Sequence, residues 1–204
     1  MTRSVRIAAL GALALFATAA ATASATATVG AAAPAFALPG SDGKTHALAD
    51  YAGKVVVLEW FNRECPFVKK HYDSRNMQSL QKTYAGRDVV WLSIVSSAPG
   101  KQGHASASAA AATVKELDAA PTVVLLDESG AVGQAYGAKT TPHMFVIGKD
   151  GTLLYQGAID DDPSFKPDGI PTAKNYVRRA LDETLSGQPV SEPVTTPYGC
   201  SVKY

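Results

Sequence analysis

Sulfur is scarce in this chain: its 204 residues carry two cysteines, Cys65 and Cys200, and three methionines. One disulfide is the most it can form. Charge of one sign is lacking as well. Nineteen Lys and Arg against 18 Asp and Glu leave a formal net charge of +1, which gives no electrostatic reason to bind nucleic acid or an anionic membrane. Long apolar runs are missing too. Ile7 to Ala20 is apolar, but Thr and Ser follow too soon for a membrane span. No internal repeat is visible. Metal-ligand spacing is absent: Cys65 and His71 do not share a helical face, His143 lies far along the chain, and Asp160-Asp161-Asp162 lacks the alternation of a calcium loop. That acidic triplet reads as a solvated turn, and neither a metal nor a cofactor is expected.

What is present begins with an export signal. Arg3 and Arg6 precede the alanine-rich apolar stretch, and Ala23-Ser24-Ala25 fits a small-residue cleavage site. Residues 1–25 are therefore expected to be a signal peptide, with a periplasmic or secreted destination of the bacterial kind. No cysteine near the cleavage point suggests a lipid anchor, and the arginines are not adjacent as in a twin-arginine signal. Removing Arg3 and Arg6 takes the net charge from +1 to −1, so no membrane contact is expected afterwards. The rest, about 180 residues, suits one domain with a packed core. It divides into a domain, 26–187, and a tail, 188–204, that carries Cys200.

Thr26–Pro34 is small and polar and reads as disordered. Phe36–Leu38 and Thr45–Leu48 flank the turn cluster Pro39–Gly43, an N-terminal β-hairpin. Val89–Ser96 and Thr122–Leu126 read as buried strands, and Trp60 and Trp91 as core. Ala105–Leu117 reads as a helix, and a short one follows up to Tyr136. Met144–Ile147 and Thr152–Gln156 form a hairpin around Asp150-Gly151. Ala173–Leu185 is the last helix. The tail, with three prolines and no periodicity, reads as mobile.

The chain is organised around Val55–Tyr72, VVVLEWFNRECPFVKKHY. Val55–Leu58 with Trp60 make a buried strand, Asn62–Glu64 leave it, and Pro66 takes the first position of a helix. Two helical phases meet at Asp73–Asn76, which predicts a break there recapped by Asp73 or Ser74. Cys65 thus faces unpaired N–H groups and the positive end of a helix dipole, with Arg63, Lys69 and Lys70 adding nearby charge. All of these favour a thiolate.

This segment resembles the active-site region of the thioredoxin-like superfamily, in its peroxiredoxin-like and redoxin branch. Against a W-C-x-x-C motif, CPFV puts Cys65 at the first sulfur position and Val68 at the second, so the dithiol is absent. Against the peroxiredoxin pattern P-x-x-x-[ST]-x-x-C, Leu58 stands for proline and Asn62 for the hydroxyl residue. The phrase APAFALPGSDGKTHALADYAGK also resembles the opening of redoxin domains. The resemblance implies an α/β thioredoxin-like fold, a central mixed sheet flanked by helices with an N-terminal hairpin. It implies a peroxiredoxin-like thiol oxidoreductase with antioxidant activity, acting on a peroxide or disulfide substrate and drawing on an external thiol reductant.

Cys65 is then the nucleophile, with Asn62 placed to donate a hydrogen bond or simply to hold the turn. Thr141-Pro142 stands where thioredoxin-like proteins carry a cis-proline, and Thr141 would present its backbone to a bound chain. PYGCSVKY resembles the C-terminal signature of a peroxiredoxin-like subgroup. It leaves three roles open for Cys200: resolving partner, half of a structural staple, or unpaired thiol. A non-catalytic binding module with a Cys65–Cys200 disulfide is the competing reading.

Overall fold

The computed structural model describes residues 26–204; the signal peptide expected at 1–25 lies outside the described residues. A hairpin, β1 (Ala37–Pro39) and β2 (Thr45–Ala47), comes first, as the turn cluster predicts. The central sheet runs from β3 (Val55–Trp60) through β4 (Val89–Val95) and β5 (Val123–Leu126) to β7 (His143–Ile147) and β8 (Leu153–Gly157), around a two-residue strand β6 (Thr140–Thr141) that stays outside it. Its spatial order is β5-β4-β3-β7-β8. Strands β3, β4 and β5 are parallel, whereas β7 and β8 join antiparallel, so the sheet is mixed.

Every residue of β3 is buried, the mark of a strand covered on both faces. Val55 and Val57 point to one core and Val56, Leu58 and Trp60 to the other, as the period of two requires. The first face is covered by α1 (Pro66–Asp73), α2 (Asn76–Ala85), α3 (Ala107–Glu116) and α5 (Tyr176–Leu185). The second is covered by α4 (Ala131–Tyr136) and the hairpin, with Trp60, Tyr136 and Phe145 in mutual aromatic contact. Burying each such large side chain contributes roughly 1.5–3 kcal/mol, so the core stabilises the fold without a covalent staple.

Three segments depart from the sequence reading. Residues 26–34, expected to be disordered, are held against the sheet: Gly30 N–H donates to the Leu153 carbonyl at 2.8 Å, and Leu153 N–H to Ala31 at 2.9 Å. Small side chains let this backbone lie close to β8. The helix break falls where expected, but neither Asp73 nor Ser74 recaps α2. Arg75 does, in the left-handed region at φ 67°, with no side-chain cap. The tail is also fixed. Thr195 N–H donates to Gln156 and Gln156 N–H to Pro193, and β9 (Cys200–Ser201) pairs antiparallel with β6. On the opposite side of the sheet Gly40 and Ser41 pair with Leu125 and Val124 of β5.

Candidate active site

Cys65 ends the loop after β3 and is the N-cap of α1, with Pro66 at the first helical position. Its backbone is extended (φ −72°, ψ 124°), and its carbonyl already accepts from Lys69 N–H at 2.9 Å. The side chain is fully buried and its Sγ donates to the Thr141 carbonyl at 3.0 Å. The Thr141–Pro142 bond is cis. These three predicted residues therefore meet at one point.

Cys200 arrives from the far end of the chain. It stands opposite Thr141 in the β6–β9 register, with its thiol and backbone N–H near enough to the Cys65 sulfur to favour a thiolate there. Both thiols are free. Gly199 makes the approach practicable: at φ 139°, a Cβ there would collide with the Thr141 carbonyl. Tyr198 pins the turn by donating to the buried Asp160 carboxylate and accepting from His71 Nε2–H, while Asn76 donates to His71 Nδ1.

Burial alone would push the Cys65 thiol up. The bonds from the Cys200 thiol, Val68 N–H, Cys200 N–H and the Thr141 hydroxyl outweigh it, so the Cys65 pKa lies below the ordinary 9.0. The Thr141 Oγ1 is buried without a hydrogen-bond partner of its own, so its hydroxyl is free to turn toward the sulfur as the thiolate forms. Cys200 moves the other way, to about 11, through burial and then through its bond to and repulsion by Cys65.

Two of the three charges expected to help Cys65 are engaged elsewhere. Arg63 turns to Glu116 (2.9 and 3.0 Å) and to Thr113 Oγ1, and Lys70 turns inward to Asp162, at 3.1 Å, and Asp160. Asp160 is 2% exposed, so the first member of the acidic triplet is not solvated: it faces the buried Lys70 ammonium and accepts from the Tyr198 hydroxyl, whereas Asp161 is exposed as a solvated turn requires. Long side chains follow available carboxylates, which adjacency in sequence does not reveal. Asn62 likewise turns away from the sulfur. Its Oδ1 accepts from Glu64 N–H at 2.9 Å and its Nδ2 donates to Gln102, so it holds the turn. Among the described residues no group of three or more His, Cys, Asp or Glu is arranged to hold a metal. His71 and His143 are buried and neutral, with pKa values near 3 and 4 set first by desolvation and then by Lys70 and Lys139 respectively.

Sequence reasoning missed Glu59. It lies six residues before Cys65, fully buried on the same face as Val55 and Val57. Its carboxylate accepts from Trp91 Nε1 at 2.8 Å, the Tyr72 hydroxyl at 2.9 Å and Ser93 Oγ at 3.1 Å. Burial still raises its pKa above the ordinary carboxylate range. The signal was there: an acid interrupting VVVLEW must find donors or leave the core. Beside this network, a cavity of about 310 Å³ opens between α3 and the sheet because the helix offers mainly alanines to fill it.

A family model described as Redoxin matches residues 28–174. The chain belongs to the Redoxin family. This redoxin is similar to an uncharacterized conserved protein from Geobacillus kaustophilus, at 31% identity and TM-score 0.77, covering 87% of this chain and 92% of that one. It is similar to a hypothetical protein from Sinorhizobium meliloti, at 25% identity and TM-score 0.74, covering 88% and 96%. A Neisseria meningitidis protein described as a thioredoxin superposes at TM-score 0.53 with 26% identity, covering 74% and 91%. No curated protein matches significantly. The fold is thus thioredoxin-like, with the mixed sheet and redoxin hairpin that the sequence predicts.

Proposed function

We propose that this redoxin is an extracytoplasmic thiol–disulfide oxidoreductase whose dithiol is Cys65 and Cys200. One observation carries the reading: Cys200 is seated opposite Thr141, whose carbonyl holds the Cys65 sulfur, so the two thiols are neighbours that shift each other's pKa. The second sulfur that Val68 cannot supply thus comes from the tail. The likeness to the Neisseria protein described as a thioredoxin supports the same chemistry, and residues 1–25 support the compartment.

In this reading Cys65 thiolate attacks a substrate disulfide and forms a mixed disulfide while the substrate's other sulfur leaves as thiolate. Cys200, deprotonated, attacks the Cys65 sulfur, releases the second substrate thiolate and closes the Cys65–Cys200 bond. An external thiol then restores the dithiol. Because β9 covers Cys65, a substrate chain reaches it by taking the place of β9 on β6. A peroxide route gains less support, since Asn62 is engaged elsewhere and Leu58 is core.

The test exposes the reduced 26–204 protein to oxidised glutathione or to hydrogen peroxide and maps its sulfurs by mass spectrometry. The expected outcome is a Cys65–Cys200 bond formed faster from the disulfide, with Cys200→Ser trapping a mixed disulfide on Cys65. Faster oxidation by peroxide would assign the peroxidase route. Failure of both oxidants to close the bond would leave the non-catalytic binding module.

A further inference from the structure

The two sulfurs meet solvent differently. Cys65 has no exposed surface, whereas Cys200 is only half-buried. The tail also occupies the backbone beside them. Thr140 pairs with Ser201 and Thr141 with Cys200, Val202 N–H donates to Lys139 at 3.1 Å, and Ala98 N–H donates to the Lys203 carbonyl at 2.9 Å. The Tyr204 hydroxyl closes the series on the Ala138 carbonyl at 2.8 Å. With the tail docked, β6 offers an outside polypeptide no strand to pair with. Lys203 adds positive charge close enough to act on Cys200.

We infer that, once the Cys65–Cys200 disulfide has formed, a small anionic thiol attacks Cys200 and expels Cys65 while the tail stays docked. This rests on the oxidoreductase reading. The incoming thiolate forms a bond to the Cys200 sulfur as the Cys65–Cys200 bond breaks, and the electron pair leaves on Cys65. A second thiolate attacks the small thiol's sulfur in that mixed disulfide. It departs as a small-molecule disulfide, and Cys200 leaves as thiolate and takes a proton from water. Two thiols thus supply the two electrons that the protein accepts. The leaving order agrees with the environment: the sulfur surrounded by donors carries negative charge more easily, and the better-stabilised thiolate leaves faster.

Residues 26–204 are oxidised with diamide, reduced briefly with glutathione, quenched with excess maleimide in denaturant so that buried thiols are labelled too, and mapped by mass spectrometry. Glutathione is expected on Cys200 and maleimide on Cys65. Lys203→Glu should slow reduction by glutathione at least about threefold and leave reduction by cysteamine, which carries its own cation, unslowed. Glutathione found on Cys65, or equal slowing of both thiols, would overturn the inference. So would faster reduction by a thioredoxin-type protein dithiol at equal thiol concentration. If diamide produces no Cys65–Cys200 bond, the oxidoreductase reading itself has failed, and this inference with it.

Discussion

At Cys65, burial pulls toward the thiol and four hydrogen-bond donors pull toward the thiolate, and the donors win. Thr141 is the cleanest probe of that balance, because valine keeps its shape and removes only the hydroxyl. Thr141→Val should raise the Cys65 pKa and cut its thiolate fraction near neutral pH by up to about tenfold, read from thiolate absorbance against pH. An unmoved titration would take the hydroxyl out of the site. Glu59 offers the opposite sign. Its folded pKa is raised above 4.5, so its contribution to stability is complete below that pH and is lost as pH rises through the raised value. Urea unfolding of the native chain should therefore weaken over this range more than that of Glu59→Gln; parallel curves would contradict the assignment. Cys65, Thr141 and Pro142 were legible in sequence because a helix start and a proline declare themselves locally. Cys200 was visible as a residue, but its place was not, since it depends on a pairing 59 positions from Thr141. Arg63 and Lys70 misled for a related reason: their partners sit on α3 and in the loop after β8.

The strands and helices followed their periods closely, because alternation and capping act within a few residues. Asn175 and Ser106 cap α5 and α3 with their side chains, accepting from Arg178 and Ala109 N–H. What composition could not show were segments whose order comes from the sheet they lie on, residues 26–34 and the tail. Strand β9 has only two residues and no hydrophobic pattern, so its existence is settled by Gly199 and Tyr198. Gly199→Ala should lift β9 from β6 and make Cys65 react readily with a bulky maleimide. The same change should raise the Cys65 pKa, because the Cys200 donors leave with the strand. Unchanged protection of Cys65 would mean that the strand is held by other contacts.

Across the whole molecule, a Cys65–Cys200 bond would close a loop of roughly 135 residues and restrict the unfolded chain by about 5 kcal/mol in the entropy model. The oxidised form should therefore unfold at higher urea than the dithiol, and Cys200→Ser should remove the difference while barely moving the reduced form. Equal midpoints would show that closing the bond strains the native state by as much as it restrains the unfolded one. The segments laid along β5 and β8 have a separate consequence. An outer strand is a template on which a neighbouring molecule can add its own strand, and fibres grow from such templates. Here Gly40 and Ser41 occupy one such row, while Gly30, Ala31, Pro193 and Thr195 occupy the other. The stretches that look most like linkers are thus the ones that keep one copy of this protein from growing onto the next.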